Sequence, residues 1–170
     1  RLGFAMVFVD GRGTAMRSSA FRDAGYPDFT QIGIEDHVAA LKQLALRHPE
    51  IDISKVGVSG QSWGGTFSAQ AILSHPDFFK VAISSAGAYD YAALYAGYEP
   101  YIGLPVYADG SQYRGHPDET PGNWKSVDIT RLADRLQGHL LITYGDSDEE
   151  SLPSQAQLLI AALTRANKPY

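Results

Sequence analysis

The stretch Lys55-Val-Gly-Val-Ser-Gly-Gln-Ser62-Trp-Gly-Gly65 decides the fold, because an apolar strand runs there into a G-x-S-x-G turn and then into a helix. A turn this sharp holds its serine in a strained backbone conformation, with the hydroxyl exposed above the carboxyl edge of a sheet. Side chains at positions 60 and 64 would be expected to collide with the neighbouring strand and helix, so both positions are glycine. Gly65 is expected to let the helix pack closely. Ser62 is therefore predicted to be a nucleophile, with a purely structural turn as the alternative.

The residue after this serine is Trp63, which is expected to begin the helix. Its backbone N–H would lie at a helix N-terminus, where the helix dipole favours negative charge. An N–H in that position can help to bind the oxyanion that forms when a serine attacks a carbonyl group. Trp63 is therefore the predicted oxyanion donor.

The composition suits one soluble globular unit, since the 170 residues are 44% hydrophobic and 19% charged. A net charge of -5 gives no reason to expect nucleic acid or an anionic membrane as a partner. No stretch is long and apolar enough to span a bilayer. The absence of cysteine excludes disulfides, thiolate metal sites and a cysteine nucleophile. The chain starts at Arg1 rather than at methionine, so an upstream targeting segment, and with it the compartment, is left open.

Strand patterns alternate with helix patterns along the chain, which predicts a mostly parallel sheet with helices on both faces. A tyrosine-rich stretch from residue 87 to about residue 127 interrupts the alternation and is expected to be irregular, as is a loop to about residue 30. No repeat or linker divides the chain, so residues 1–170 are one domain or part of one. The predicted strands are residues 4–9, 53–58, 79–84 and 140–144, and the predicted helices are residues 34–47, 63–73, 132–136 and 155–166.

An acidic loop, Gly145-Asp-Ser-Asp148-Glu-Glu150, follows the last predicted strand. Working residues of open α/β sheets lie beyond the carboxyl ends of the strands. An acid there can orient a histidine and stabilise it when it becomes cationic. The alternative is a solvated loop that caps the helix starting near Pro153.

The histidines do not complete a catalytic triad, because none follows this acidic loop. In hydrolases with a G-x-S-x-G elbow the chain order is serine, acid, histidine. Each histidine is therefore expected to be structural or solvated, and His116 alone is kept as a remote substitute for the base. The five are His37, His48, His75, His116 and His139.

The motifs together resemble the catalytic domain of the prolyl oligopeptidase family (peptidase family S9), nearest its dipeptidyl-peptidase IV branch. The resemblance runs from Phe4 to the end of the chain. D-G-R-G at these spacings before G-I-E-D is more specific to the family than the serine elbow. The matching stretches are Val9-Asp-Gly-Arg-Gly13, Gly33-Ile-Glu-Asp36, Gly60-Gln-Ser-Trp-Gly-Gly65, Asp77-Phe-Phe-Lys-Val-Ala82, Gly103-Leu-Pro105 and Leu141-Ile-Thr-Tyr-Gly-Asp-Ser-Asp148.

The resemblance implies a partial α/β-hydrolase fold with Ser62 as nucleophile and Asp148, rather than Asp146, as the triad acid. It implies a catalytic histidine beyond Tyr170 and an N-terminal β-propeller in the intact protein. Ser62 and Asp148 are expected on neighbouring strand ends. No metal or organic cofactor is implied, and a homo-oligomer is left open.

The resemblance also indicates where a peptide substrate would bind. The tyrosine-rich stretch falls where the dipeptidyl branch lines its proline pocket, and Tyr91 and Tyr98 are the candidates, with core packing as the alternative. Glu150 stands where that branch commonly has an asparagine near the substrate backbone, which argues against strict dipeptide release.

The function implied is that of a serine peptidase working through an acyl-enzyme on Ser62. Two alternatives stay open: a carboxylesterase or acylaminoacyl-releasing hydrolase, and a non-catalytic α/β-hydrolase module used for binding. Residues 1–170 by themselves are expected to be inactive and only marginally stable.

Overall fold

A computed structural model of the chain describes residues 3–26, 31–104, 106, 111 and 123–170. Its centre is a parallel three-stranded sheet in the order β1-β2-β3. The strands are β1, Val56–Gln61; β2, Phe79–Ser85; and β3, His139–Thr143. All three strands therefore present their carboxyl ends at one edge of the sheet.

Six α-helices and two 3₁₀ segments surround the sheet in the described residues. The 3₁₀ segment over Ile129–Arg135 takes the place of the short helix predicted for residues 132–136. The other is Ala92–Leu94. The α-helices are α1, Ser19–Asp23; α2, Gln31–Arg47; α3, Trp63–Ser74; α4, Tyr95–Ile102; α5, Asn123–Ser126; and α6, Pro153–Arg165. None of the described helices is both long enough and apolar enough for a bilayer crossing.

The core lies on one face of the sheet. Val58, Ala82 and Leu140 share one register row across the three strands, and Ala82 and Leu140 are buried beneath α3 and its neighbours. Apolar residues of α2, α3, α6 and the 3₁₀ segment Ile129–Arg135 join them in a single cluster. Burial of this apolar surface is the main force that holds the helices on the sheet.

The opposite face of the sheet is open among the described residues. Val81, Ile83 and Leu141 point to that face, and between 40% and 54% of each is exposed. The sequence predicted helices on both faces, whereas the described helices that contribute to the core pack on one. The fold is nevertheless the predicted one, a parallel sheet with its crossover helices in a partial α/β-hydrolase arrangement.

The prediction of a buried strand over residues 4–9 is wrong in this structure. These residues form no strand, and Phe4, Met6 and Phe8 are 82%, 74% and 90% exposed. A strand is stabilised by pairing with a neighbour and by a covered face. An apolar run in the sequence does not reveal whether a pairing strand or a covering layer is present. The sheet therefore has three strands in the described residues, where four were predicted.

The tyrosine-rich stretch is more regular than predicted, because it contains α4 and supports a second core cluster. Ala88, Tyr91, Ile102, Trp124 and Val127 are all buried in this cluster. The indole Nε1–H of Trp124 donates to the Gly103 carbonyl at 3.0 Å, which ties α5 to the end of α4. The cluster holds the aromatic side chains described below against α3.

Candidate active site

Ser62 forms the whole turn between β1 and α3, since β1 ends at Gln61 and α3 begins at Trp63. Its backbone angles are φ 57° and ψ -120°, a conformation that residues other than glycine rarely adopt. The Ser62 N–H donates to the Ser85 carbonyl at 2.9 Å, which anchors the turn to the end of β2. The strained elbow conformation predicted from the sequence is confirmed.

Two of the three glycines around the elbow are required by close packing. A side chain at Gly60 would place its Cβ 2.5 Å from backbone atoms of Gly64, and one at Gly65 would collide with the Ser85 carbonyl. A Cβ at Gly64 would meet nothing within 4 Å, so the predicted collision at Gly64 is wrong. Gly64 matters as the backbone against which Gly60 packs.

The Ser62 hydroxyl is exposed and makes no capping hydrogen bond to α3. The Trp63 N–H lies in the first turn of that helix, where the dipole is positive. A carbonyl group approaching Ser62 would therefore meet the N-terminus of α3, an arrangement that suits a developing oxyanion.

Asp148 lies five residues beyond the end of β3, in a loop that its own carboxylate organises. Oδ1 accepts from the N–H of Glu150 at 3.0 Å and from the N–H of Ser151 at 2.8 Å. Asp148 is half-buried, whereas Asp146 is exposed. The loop thus fixes the Asp148 carboxylate and leaves the Asp146 carboxylate in solvent.

Ser62 and Asp148 follow strands that end at the same edge of the sheet. The prediction that these two strands are neighbours is wrong. β2 separates β1 from β3, so their ends are about 10 Å apart at the usual strand spacing. The end of β2 bridges this gap, because Ser85 accepts from the Ser62 N–H and the Ala86 N–H donates to the Thr143 carbonyl at 2.7 Å. Strand order is a tertiary property, which the local patterns do not contain.

The described histidines lie away from a catalytic position. His37 Nδ1 is 2.7 Å from the Gly33 carbonyl one turn earlier in α2, and its ring packs on Phe67. His75 follows the far end of α3, and burial lowers its pKa. Of the histidines that the structure describes, none hydrogen-bonds to Ser62 or Asp148. His116 falls outside the described residues.

An aromatic cluster covers the start of α3. The Trp63 ring stacks on Tyr91 at 5.9 Å between centroids, and Tyr98 and Tyr101 approach it edge-on at 6.0 and 6.2 Å. Tyr91 is fully buried, and this burial raises the pKa of its hydroxyl. The structure therefore brings Tyr91 and Tyr98 together at the start of α3, with Tyr91 packed in the core, and it adds Tyr101, which the sequence analysis did not select.

The acidic loop adjoins this aromatic cluster through Glu150. The pKa of the Tyr98 hydroxyl is raised first by burial, then by Tyr101 and by the negative charge of Glu150. The acidic loop therefore lies within electrostatic range of the Tyr98 hydroxyl. The carboxylate is exposed, so it stands at the solvent rim of the cluster.

The D-G-R-G loop is clamped to the first turns of α2. The Arg12 guanidinium binds the Asp36 carboxylate through Nε at 3.0 Å and Nη2 at 2.7 Å, and the Arg12 N–H adds a third contact at 2.6 Å. These hydrogen bonds lower the pKa of the Asp36 carboxyl. Sequence reasoning quoted both residues as family markers but gave them no role. Arg12 lines a groove of about 470 Å³ that reaches Trp63 and Tyr101.

Nothing in the described residues gathers three acidic or imidazole side chains as metal ligands would be gathered. The chemistry that this edge of the sheet offers is that of an exposed hydroxyl, an organised carboxylate and an aromatic surface.

Comparison with known proteins places this geometry among peptidases. The chain is 31% identical to dipeptidyl peptidase 8 of Homo sapiens over 172 residues, which is 99% of this chain and 18% of that protein. It is 26% identical to venom dipeptidyl peptidase 4 of Vespa velutina over 166 residues, 95% of this chain and 20% of that protein. The chain thus spans about a fifth of the length of these relatives.

A solved structure shows the same arrangement of elements. The crystal structure of a candidate dipeptidyl aminopeptidase IV from Bacteroides ovatus matches with a TM-score of 0.74 at 28% identity, covering 94% of this chain and 21% of that one. The model of the prolyl oligopeptidase family matches residues 1–170. With its motifs, its fold and its relatives in agreement, the chain belongs to the prolyl oligopeptidase family, near the dipeptidyl-peptidase IV branch.

Proposed function

We propose that the intact protein is a serine peptidase of the prolyl oligopeptidase and dipeptidyl peptidase type, with Ser62 as its nucleophile. The observation that carries this proposal is the strained elbow at Ser62, whose hydroxyl is exposed at the N-terminus of α3. Backbone strain of this kind costs about 1–3 kcal/mol and is retained mainly where function needs it. Relatives named as dipeptidyl peptidases support a peptide as the substrate.

In this mechanism the Ser62 oxygen attacks the substrate carbonyl while a histidine outside residues 1–170 takes the hydroxyl proton. The oxyanion of the tetrahedral intermediate binds at the Trp63 N–H. The intermediate collapses to an acyl-enzyme as the histidine returns the proton to the leaving amine. Water then attacks the acyl group by the reverse proton path, releasing the acid and restoring the Ser62 hydroxyl.

Asp148 acts in this mechanism by orienting the histidine. Two backbone N–H groups hold Oδ1, so the carboxylate cannot rotate freely. A histidine that bridges Asp148 and Ser62 would have to reach across the end of β2, because β2 separates the end of β1 from the end of β3. The spacing of about 10 Å between those ends leaves room for an imidazole ring between acid and serine.

The aromatic cluster is the proposed pocket for the side chain next to the scissile bond. Tyr98, with Trp63 and Tyr101, offers flat apolar surface that suits the ring of a proline residue, whereas Tyr91 is buried and supports the Trp63 ring from the core. Glu150 at the rim places a negative charge near the substrate backbone, where it would favour a cationic group over a carboxylate.

Residues 1–170 are proposed to belong to the catalytic domain of a larger protein that also carries a β-propeller. By themselves they are expected to be inactive, because the base is supplied from elsewhere. The open sheet face at Val81, Ile83 and Leu141 supports low stability for residues 1–170 alone, since apolar surface gains stability only when it is covered.

The test uses the intact protein, its Ser62→Ala variant and a fluorophosphonate probe that reacts with activated serines. We expect the parent protein to be labelled and the variant not, and an aminoacyl-proline p-nitroanilide to be cleaved faster than a p-nitrophenyl ester of similar size. Failure of the parent to label would exclude a serine hydrolase and indicate a binding module. Labelling with preference for the ester would indicate a carboxylesterase instead.

A further inference from the structure

Three fully buried polar side chains bind one short stretch of the chain. Thr66, Ser84 and Gln155 each expose 1% or less of their surface. Polar groups this buried are costly unless they are hydrogen-bonded. All three direct hydrogen bonds to residues 88–90, the start of the stretch that supplies the aromatic cluster.

Gln155 makes the longest connection of the three. Its side-chain oxygen accepts from the N–H of Tyr89 at 2.8 Å and from the N–H of Asp90 at 2.9 Å, across more than sixty positions of sequence. The side-chain nitrogen of Gln155 is buried and has no hydrogen-bond partner among the described residues. The contribution of the Gln155 side chain is therefore its oxygen, which accepts from both of these N–H groups.

One end of this connection is the acidic loop. Gln155 stands in the first turn of α6, and its N–H donates to the Leu152 carbonyl at 2.9 Å. Leu152 directly follows Ser151, whose N–H is bound by Asp148 at 2.8 Å. The position of Gln155 is therefore fixed by the same turn that fixes the carboxylate.

The other end is the aromatic cluster. Tyr91 is the residue after Asp90, and its ring lies 4.7 Å from Tyr98 and 5.9 Å from Trp63. Thr66 anchors the same stretch to α3, because its hydroxyl donates to the Ala88 carbonyl and accepts from the Ala88 N–H, both at 2.9 Å. Ser84 anchors it to β2 through the Tyr89 hydroxyl at 2.7 Å.

We infer that Gln155 is a positioning residue that sets the aromatic pocket relative to the acidic loop, and so determines affinity for the substrate side chain. This inference rests on the proposed function. Without the glutamine oxygen, the Tyr89 and Asp90 N–H groups lose their acceptor and the backbone before Tyr91 moves to satisfy them. The nucleophile is anchored separately, through Ser85, and keeps its position.

The experiment compares Gln155→Met with Gln155→Glu and Gln157→Met in the intact protein. Methionine keeps the volume of the side chain but removes the oxygen, and glutamate retains an acceptor for both N–H groups. Gln157 lies on the same helix and is exposed, so its replacement is the matched control. The substrates are an aminoacyl-proline p-nitroanilide, which fills the pocket, and p-nitrophenyl acetate, which does not.

For Gln155→Met we expect KM for the p-nitroanilide to rise about tenfold, the effect of one lost buried interaction, with kcat changed less than about twofold. Acetate turnover and fluorophosphonate labelling should stay at the parental rate, and Gln155→Glu should restore KM. If Gln155→Met does not fold, Gln155→Asn shortens the side chain by one methylene and should raise KM about threefold in the same manner.

A second readout does not need activity. 5-Fluorotryptophan at Trp63, assigned through Trp63→Phe, should change its ¹⁹F chemical shift in Gln155→Met and not in Gln157→Met. An unchanged resonance, or equal losses for both substrates and for labelling, would overturn the inference. A shifted resonance in a protein that cleaves neither substrate would leave the positioning link intact and reject the proposed function instead.

Discussion

The serine elbow and the aromatic cluster lie side by side but are specified in different ways. The elbow is one contiguous stretch, with a single residue at positive φ and two glycines that admit the close approach of α3. The aromatic cluster depends on Thr66, Ser84 and Gln155, which hold residues 88–90 from three separate elements through backbone groups and the Tyr89 hydroxyl. Ser62 is thus positioned mainly by its own stretch of sequence, whereas the aromatic cluster is positioned by contacts from distant parts of the chain. Substitutions in the elbow should therefore lower kcat, and substitutions that displace the aromatic cluster should raise KM.

The largest effect expected is the loss of turnover in Ser62→Ala. Removing a nucleophile costs on the order of 10⁶ in kcat when the triad acts as a unit. The backbone at residue 62 keeps its anchor to Ser85, so the thermal unfolding midpoint should hardly change. Steady-state kinetics and calorimetry on the intact protein measure both, and more than a tenth of the parental activity would show that the elbow is only structural.

Asp148→Asn should cost about 10⁴ in kcat, because the histidine would settle in the wrong tautomer. The amide oxygen can still accept from the Glu150 and Ser151 N–H groups, so the loop should keep its shape. Asp146→Asn is the matched control in the exposed part of the same loop. If Asp146→Asn proved the more damaging of the two, the carboxylate was chosen wrongly.

Gly60→Ala should destabilise the intact protein by about 1–3 kcal/mol, the usual cost of overpacking. Its new Cβ would stand 2.5 Å from the Gly64 backbone, whereas a Cβ at Gly64 itself meets nothing within 4 Å. Gly64→Ala should therefore change the free energy of unfolding by less than about 0.5 kcal/mol. Urea denaturation of both variants measures the difference, and equal losses would contradict the packing described for the elbow.

The smallest effect is expected for Tyr89→Phe, which removes the hydroxyl 2.7 Å from Ser84 within the buried network. Since the Ser84 hydroxyl still donates to the Gly65 carbonyl, the loss should be about 1 kcal/mol of unfolding free energy. Tyr144→Phe, at a partly exposed tyrosine, should lose nothing measurable. Identical stabilities for both variants would show that the network contributes no net stability.

The sequence predicted those parts of the fold that are encoded within one element. β2, β3, α3 and α6 lie within three residues of their predicted bounds, because each shows a clear period and a recognisable end. Residues 4–9 carry the same apolar signal, yet form no strand, since a strand also needs a partner. Helix α4 was missed because Gly97 and Pro100 are poor helix formers that tertiary packing overrides.

The candidate site divides in the same way. Ser62 and Trp63 follow from a local motif, and Asp148 from a motif together with a resemblance. Tyr101 could have been found by its spacing from Tyr98, which places the two rings on one side of α4. Gln155 carries no signal in the sequence, because a glutamine in the first turn of an amphipathic helix is ordinary until its partners sixty residues away are known.

Under the proposed function, the backbone conformation at Ser62 makes activity and stability compete. A residue held at φ 57° would be more comfortable as glycine, which adopts positive φ without steric cost. Ser62→Gly should release this strain and abolish catalysis, so the inactive variant should unfold at a higher temperature than the active protein. Selection for thermostability alone would therefore favour the loss of serine at this position. A variant library screened for heat resistance needs a parallel screen for activity to retain the proposed nucleophile.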